Sequence, residues 1–227
     1  MKRNSKETSF FWTLLIGLSI WLYVLVLILL RKVTVKGWMN LPLWKTRNIF
    51  VFNHRYTGEE IYVNALLGHQ FLIRPRKCGP HTYADKKNYY DNPRFRLMRP
   101  NLIPVDRTAE NGNLASLLTG INILKSGGNI NIFPEGHRTA KGSAFLTSKN
   151  AERISIPFME GFACLAMESG ATLRPVWVDV KSTTVCGFPF IRKAKFVVGK
   201  PIDISALSRE QIVRKTERTL IELADQA

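Results

Sequence analysis

Apolar positions are distributed along the chain in two distinct ways. From Phe10 to Leu30 they form 21 consecutive positions without a charge, including Leu14, Ile16, Leu18, Leu22, Leu25 and Leu29. As a helix this stretch measures about 30 Å, the thickness of a hydrocarbon core. It is long for the apolar region of a signal peptide, and Arg31-Lys32 follows it instead of a small-residue cleavage site. A retained membrane helix over residues 1–32 is therefore expected. Lys2, Arg3 and Lys6 flank one end and Arg31, Lys32 and Lys36 the other, so the positive-inside rule sets no orientation. The helix either spans the bilayer or enters one leaflet. Trp38 and Trp44, with Leu41 and Leu43, rest at headgroup level or pack on the domain.

Beyond residue 32 short apolar runs alternate with amphipathic stretches, with no repeat and no Gly/Ser linker. Strands are predicted at Ile49–Asn53, Gln70–Ile73, Asn101–Val105, Asn129–Phe133, Leu173–Val178 and Lys195–Val198. Helices are predicted around Gly58–Leu67, Pro93–Met98, Asn113–Lys125 and Glu160–Glu168. A last helix starts at Ser208, which forms a capping-box pattern with Gln211, and carries Ile212, Thr216, Leu220 and Leu223 at helical spacing. The pattern describes a single α/β domain over residues 33–227, with a mostly parallel central sheet flanked by helices. Ligands of such sheets bind beyond the carboxyl ends of the strands.

Composition narrows the partner. Lysine and arginine number 33 against 17 acidic residues, a formal net charge of +16. An anionic partner is expected: nucleic acid, a phospholipid surface or a phosphorylated substrate. Cys78, Cys164 and Cys186 are odd in number and lack paired metal-ligand spacing, which argues against a disulfide framework and a zinc site.

Three polar segments sit directly behind predicted strands. In Asn53-His54-Arg55-Tyr56-Thr57-Gly58-Glu59, a histidine at a strand mouth is followed by a carboxylate. Such a pair suits a general base whose tautomer the carboxylate fixes. Residues five apart on one helix differ by about 140° in direction. The pair therefore meets only if His54 precedes the helix and Glu59 lies in its first turns. In Phe133-Pro134-Glu135-Gly136-His137-Arg138-Thr139 the glycine allows close backbone approach, and Arg138 offers a planar fork suited to phosphate. The bland alternative is a surface turn with a local Glu–Arg pair. Asn101-Leu102-Ile103-Pro104-Val105-Asp106-Arg107 ends in Arg107, which supplies a second phosphate contact or pairs with Asp106.

The order of these segments resembles the 1-acyl-glycerol-3-phosphate acyltransferase family, the PlsC-type lysophospholipid acyltransferases. That family carries His-x4-Asp, an arginine block, Phe-Pro-Glu-Gly-(Thr/Ser)-Arg and a Pro-Val strand. Here they correspond to His54–Glu59, Ile103–Arg107, Phe133–Arg138 and Arg174-Pro175-Val176, and Gly199-Lys200-Pro201-Ile202 resembles a late turn of the family. The match runs from about residue 34 to 205.

The resemblance implies an O-acyltransferase that moves a fatty acyl chain from acyl-CoA or acyl carrier protein to a lysophospholipid hydroxyl. His54 and Glu59 would be catalytic, and Arg107, Glu135, Gly136 and Arg138 would bind the acceptor. No metal or resident cofactor is required, the partners are membrane lipids and the acyl donor rather than nucleic acid, and the domain faces the cytoplasm at the membrane. Three departures bear on specificity: Glu59 in place of aspartate, His137 in place of Thr or Ser, and a long Thr139–Phe158 stretch with Met159 where many members carry lysine. They leave open another acceptor, such as a lyso-aminolipid or a lipid A precursor. A non-catalytic, basic, membrane-anchored binding protein is the rival from another class. Against it, no helix-turn-helix, zinc-finger or RNP-type motif stands out.

Overall fold

A computed structural model describes residues 3–42, 47–55, 59, 63, 80–106, 108, 112–185 and 188–227. Its main sheet has seven strands: β1 (Val33–Lys36), β2 (Asn48–Phe52), β3 (Pro80–Asp85), β4 (Leu102–Val105), β5 (Asn129–Ile132), β8 (Thr172–Val185) and β9 (Phe188–Val198). Their spatial order is β1-β9-β8-β2-β5-β3-β4. Every pairing in this sheet is parallel except β8–β9, a long antiparallel hairpin. A separate antiparallel pair, β6 (Ala144–Thr147) with β7 (Arg153–Ile156), lies outside it. The described helices are α1 (Arg3–Leu29), α2 (Gly112–Lys125), α3 (Gly161–Ser169) and α4 (Arg209–Ala224).

β2 shows why the sheet is covered on both faces. All five of its residues are buried. Ile49 and Val51 enter one cluster with Leu124, Ile130, Phe162, Leu165, Trp177 and Leu220, contributed largely by α2, α3, α4 and the sheet. Phe50 and Phe52 enter the opposite cluster with Val24, Leu27, Val63, Val176, Val178 and Phe196. The period of two along a strand sends alternate side chains to the two cores. At α4 the capping box forms as predicted: Gln211 N donates to Ser208 Oγ at 3.3 Å, and Ser208 N to Gln211 Oε1 at 2.8 Å.

Several expectations need correction. The predicted membrane helix exists as a helix, α1, but among the described residues no helix is long and apolar enough to cross a membrane. Its last turns have another use: Val24 and Leu27 are buried in the domain's second core, against sheet residues. One face of that end of the apolar stretch is packing surface. The Pro93–Met98 helix is a 3-10 helix over Pro93–Asn101, because Asn92 caps it and prolines occupy its start and its interior. β8 and β9 are much longer than the predicted strands, since each continues past the parallel sheet as one arm of the hairpin. The Gln70–Ile73 strand lies outside the described residues. β1, β3 and the β6–β7 hairpin are additional to the predicted strands.

Candidate active site

β2 is flanked by β5 on one side and β8 on the other, all parallel. The segments leaving their carboxyl ends therefore meet at one edge of the sheet. His54 follows β2 in irregular backbone, while Glu59 and Val63, one turn apart, are both helical and both buried. This is the arrangement the spacing demanded. His54 Nδ1 lies 3.0 Å from Glu59 Oε1. The Glu59 side chain is wholly buried, whereas the imidazole keeps 16% of its surface exposed. The ring stacks obliquely on Phe133, with centroids 4.8 Å apart. With Nδ1 committed to the carboxylate, Nε2 is the nitrogen left for proton transfer.

The turn after β5 grips the His54 peptide rather than its ring. His54 N donates to Glu135 Oε1 at 2.7 Å, and His54 O accepts from Thr139 N at 2.7 Å. Glu135 Oε2 accepts from Ser155 N at 2.8 Å and lies 2.7 Å from Thr139 Oγ1. Glu135 is only 3% exposed. It was expected to line the acceptor site; its oxygens instead serve donors of the protein, and it shapes the site through the backbone of His54. Thr139 Oγ1 also lies 3.0 Å from His54 O. One hydroxyl hydrogen cannot serve both acceptors. Thr139 therefore donates either to Glu135 Oε2 or to His54 O at any moment. Burial pushes the Glu135 carboxyl above the usual range, against the lowering effect of its hydrogen bonds to Ser155, His54 and Thr139.

Gly136 has φ +70°, and a Cβ there would stand 2.5 Å from Met159 Sδ. The left-handed backbone requires glycine, whereas the flexible Met159 side chain can yield. Met159 N–H donates to Pro134 O at 2.8 Å, and the residue is 60% exposed. Arg138 is exposed at the same turn, next to the Thr139 that bonds His54. Arg107 lies outside the described residues. The strand before it, β4, stands three places from β2. Its neighbour Asp106 is held at a pKa of about 2, first by the Thr108 hydroxyl, then by Thr108 N–H and Lys86.

Asn53 is a structural residue at the site that sequence reasoning passed over. Its side-chain amide donates to Val178 O at 2.9 Å and accepts from Val178 N at 2.7 Å. It thereby splices the end of β2 onto β8. An asparagine directly between an apolar strand and a candidate base was the available signal.

A buried carboxylate, a partly exposed imidazole and a cationic turn meet at the mouth of a parallel sheet, a geometry that suits group transfer. The profile of the Acyltransferase family matches residues 32–179, and the chain belongs to that family. The motif resemblance is therefore correct, and the protein is an acyltransferase. Its fold is similar to the crystal structure of the 1-acyl-sn-glycerophosphate (LPA) acyltransferase, PlsC, from Thermotoga maritima, with a TM-score of 0.54 at 17% identity. That match covers 86% of this chain and 72% of the other. No curated protein matches the sequence.

Proposed function

We propose that the protein transfers a fatty acyl chain from an acyl thioester, acyl-CoA or acyl carrier protein, to the hydroxyl of a lysophospholipid, with 1-acyl-glycerol-3-phosphate as the leading acceptor. The 3.0 Å contact between His54 Nδ1 and the buried Glu59 carboxylate carries the reading. His54 Nε2 takes the acceptor's hydroxyl proton as its oxygen attacks the thioester carbonyl. The tetrahedral intermediate collapses, the C–S bond breaks, and the imidazolium returns the proton to the leaving thiolate. Glu59 stabilises the imidazolium during that interval. No acyl-enzyme forms, because the base activates the substrate's own oxygen. Arg138, with Arg107, holds the acceptor phosphate.

The site faces a lipid surface in this reading. Phe11, Leu15, Leu22, Val26 and Leu29 of α1 are exposed, and their spacing puts them on one face, opposite the buried Val24 and Leu27. Leu30, Trp38 and Met39, which follow α1 in the chain, are exposed as well. A helix apolar on both faces suits contact with lipid on the side that the protein leaves open. The net charge of +16 favours an anionic leaflet, and the donors place the domain on the cytoplasmic side. Assay of acyl transfer to 1-acyl-glycerol-3-phosphate in membranes, with wild type and His54→Ala, tests the chemistry. Undiminished transfer by the variant would sink it.

The same chemistry on a less anionic acceptor is the second reading, favoured by one contact. An uncharged Met159 thioether, not a cation, packs against Gly136 beside Arg138. Mass spectrometry of lipids after overexpression separates the two acceptors.

A further inference from the structure

The long stretch after Arg138 is not idle chain. Thr139–Lys141 form a 3-10 turn, and residues 144–156 fold into the β6–β7 hairpin. One part of this hairpin touches the loop that carries His54, and another touches Glu135, which bonds that loop. Ser155 N–H reaches Glu135 Oε2, as described above. Glu152, immediately before β7, places Oε2 2.6 Å from Arg55 Nη1. The same Nη1 lies 3.4 Å from Asp179 Oδ1 on β8. Asn53, on the other side of His54, is bonded to Val178, the residue next to Asp179. Both neighbours of the base are thus pinned to adjacent residues of one strand.

We propose that Arg55 is a positioning residue for acyl transfer, which holds the His54 loop between the hairpin carboxylate Glu152 and the β8 carboxylate Asp179. The proposal rests on His54 being the base. Its mechanism is geometric. A single rotation at the peptide after Asn53 would carry the imidazole away from both Glu59 and the substrate hydroxyl. Asn53 secures one end of that peptide pair, and Arg55 secures the other. The hairpin supplies the second carboxylate, which β8 alone does not provide.

Two alternatives are weaker. Isolated surface ion pairs contribute little to stability, but here two partly buried carboxylates (28% and 20% side-chain exposure) converge on one nitrogen of a guanidinium that is itself 22% exposed. The predicted effect is therefore on turnover more than on folding. Nor does Arg55 suit a phosphate. One guanidinium against two carboxylates leaves a net negative charge there, which repels an anionic acceptor.

The test uses the full chain in mixed detergent–phospholipid micelles, with 1-acyl-glycerol-3-phosphate and a long-chain acyl-CoA. Arg55→Ala is expected to lower kcat on the order of tenfold to a hundredfold, the scale of an ångström-sized misplacement. KM for both substrates should stay within about twofold, since no binding contact is removed. Arg55→Lys should recover part of the loss through its single charge. Glu152→Gln should lower kcat less than Arg55→Ala, and adding it to Arg55→Ala should have no further effect. An unchanged kcat in Arg55→Ala, or a raised KM at unchanged kcat, overturns the proposal. Should Arg55→Ala fail to fold, Glu152→Gln decides it in the same way. Hydrogen exchange of the peptide containing His54 gives a readout independent of activity: faster exchange in Arg55→Ala is expected, and unchanged exchange overturns the brace. His54→Ala, assayed alongside, shows separately whether His54 is the base.

Discussion

Glu135 offers the sharpest quantitative test, because its three donors can be counted one by one. Replacing it with alanine leaves two backbone donors, the partly buried His54 N–H and the buried Ser155 N–H, without their acceptor. Each such loss costs about 1–3 kcal/mol, so roughly 2–6 kcal/mol is expected for Glu135→Ala. Against a total stability of about 5–15 kcal/mol that is a large share. Glu135→Gln is gentler. Its amide nitrogen, placed where Oε2 was, donates to Thr139 Oγ1 and frees that hydroxyl to donate to His54 O. It then faces Ser155 N–H and satisfies nothing there; flipped, it faces His54 N–H instead. One donor is lost either way, about 1–3 kcal/mol. Urea unfolding of the detergent-solubilised chain, followed by far-UV circular dichroism, measures both as shifts in midpoint at constant slope. A loss within about 0.5 kcal/mol for Glu135→Ala, the scale of an indifferent surface change, would refute the reasoning.

The same pair of proteins gives a pH test with a definite sign. Burial raises the Glu135 carboxyl above its value in the unfolded chain. Between those two values the unfolded chain has released the proton and the folded one still holds it. Stability must fall as pH rises through that window, and it is fully present below the unfolded value. Glu135→Gln cannot titrate, so the advantage of wild type over this variant should narrow as pH rises. An advantage that widens would show that Glu135 is stabilised as the anion.

Three further outcomes follow from the site and its scaffold. Glu59→Gln keeps an acceptor near His54 Nδ1 but removes the charge that stabilises the imidazolium. Turnover should fall by about 10²–10⁴ in a steady-state assay with KM little changed. Gly136→Ala meets both a left-handed backbone (φ +70°) and the Met159 sulfur, so activity and urea midpoint should drop together. Ser208→Ala removes the α4 cap and should cost about 0.5–2 kcal/mol in urea without altering kcat, since α4 starts far in sequence from the catalytic loops.

The sequence made the architecture readable where one physical rule dominates. Alternation with buried apolar runs located β2, β5, the first half of β8 and the end of β9, and the Ser208–Gln211 pair located the start of α4. The His54–Glu59 pair was readable for a similar reason: its spacing permits contact in only one arrangement, turn then helix, and the chain adopts it. What stayed hidden depends on partners remote along the chain. The apolar run before Arg31 carries the same composition whether it meets lipid or protein, so the burial of Val24 and Leu27 could not be seen in it. The family resemblance implied Glu135 as a substrate-binding residue, and the motif alone does not show which groups its oxygens hold. Its donors lie 81 residues upstream, at His54, and 20 downstream, at Ser155. Asn53 and Arg55 meet partners 125 and 124 residues away. The catalytic side chains follow local strand-end rules, whereas the groups that fix them are set by which strands become neighbours. Only the sheet order β8-β2-β5 brings those groups together around His54.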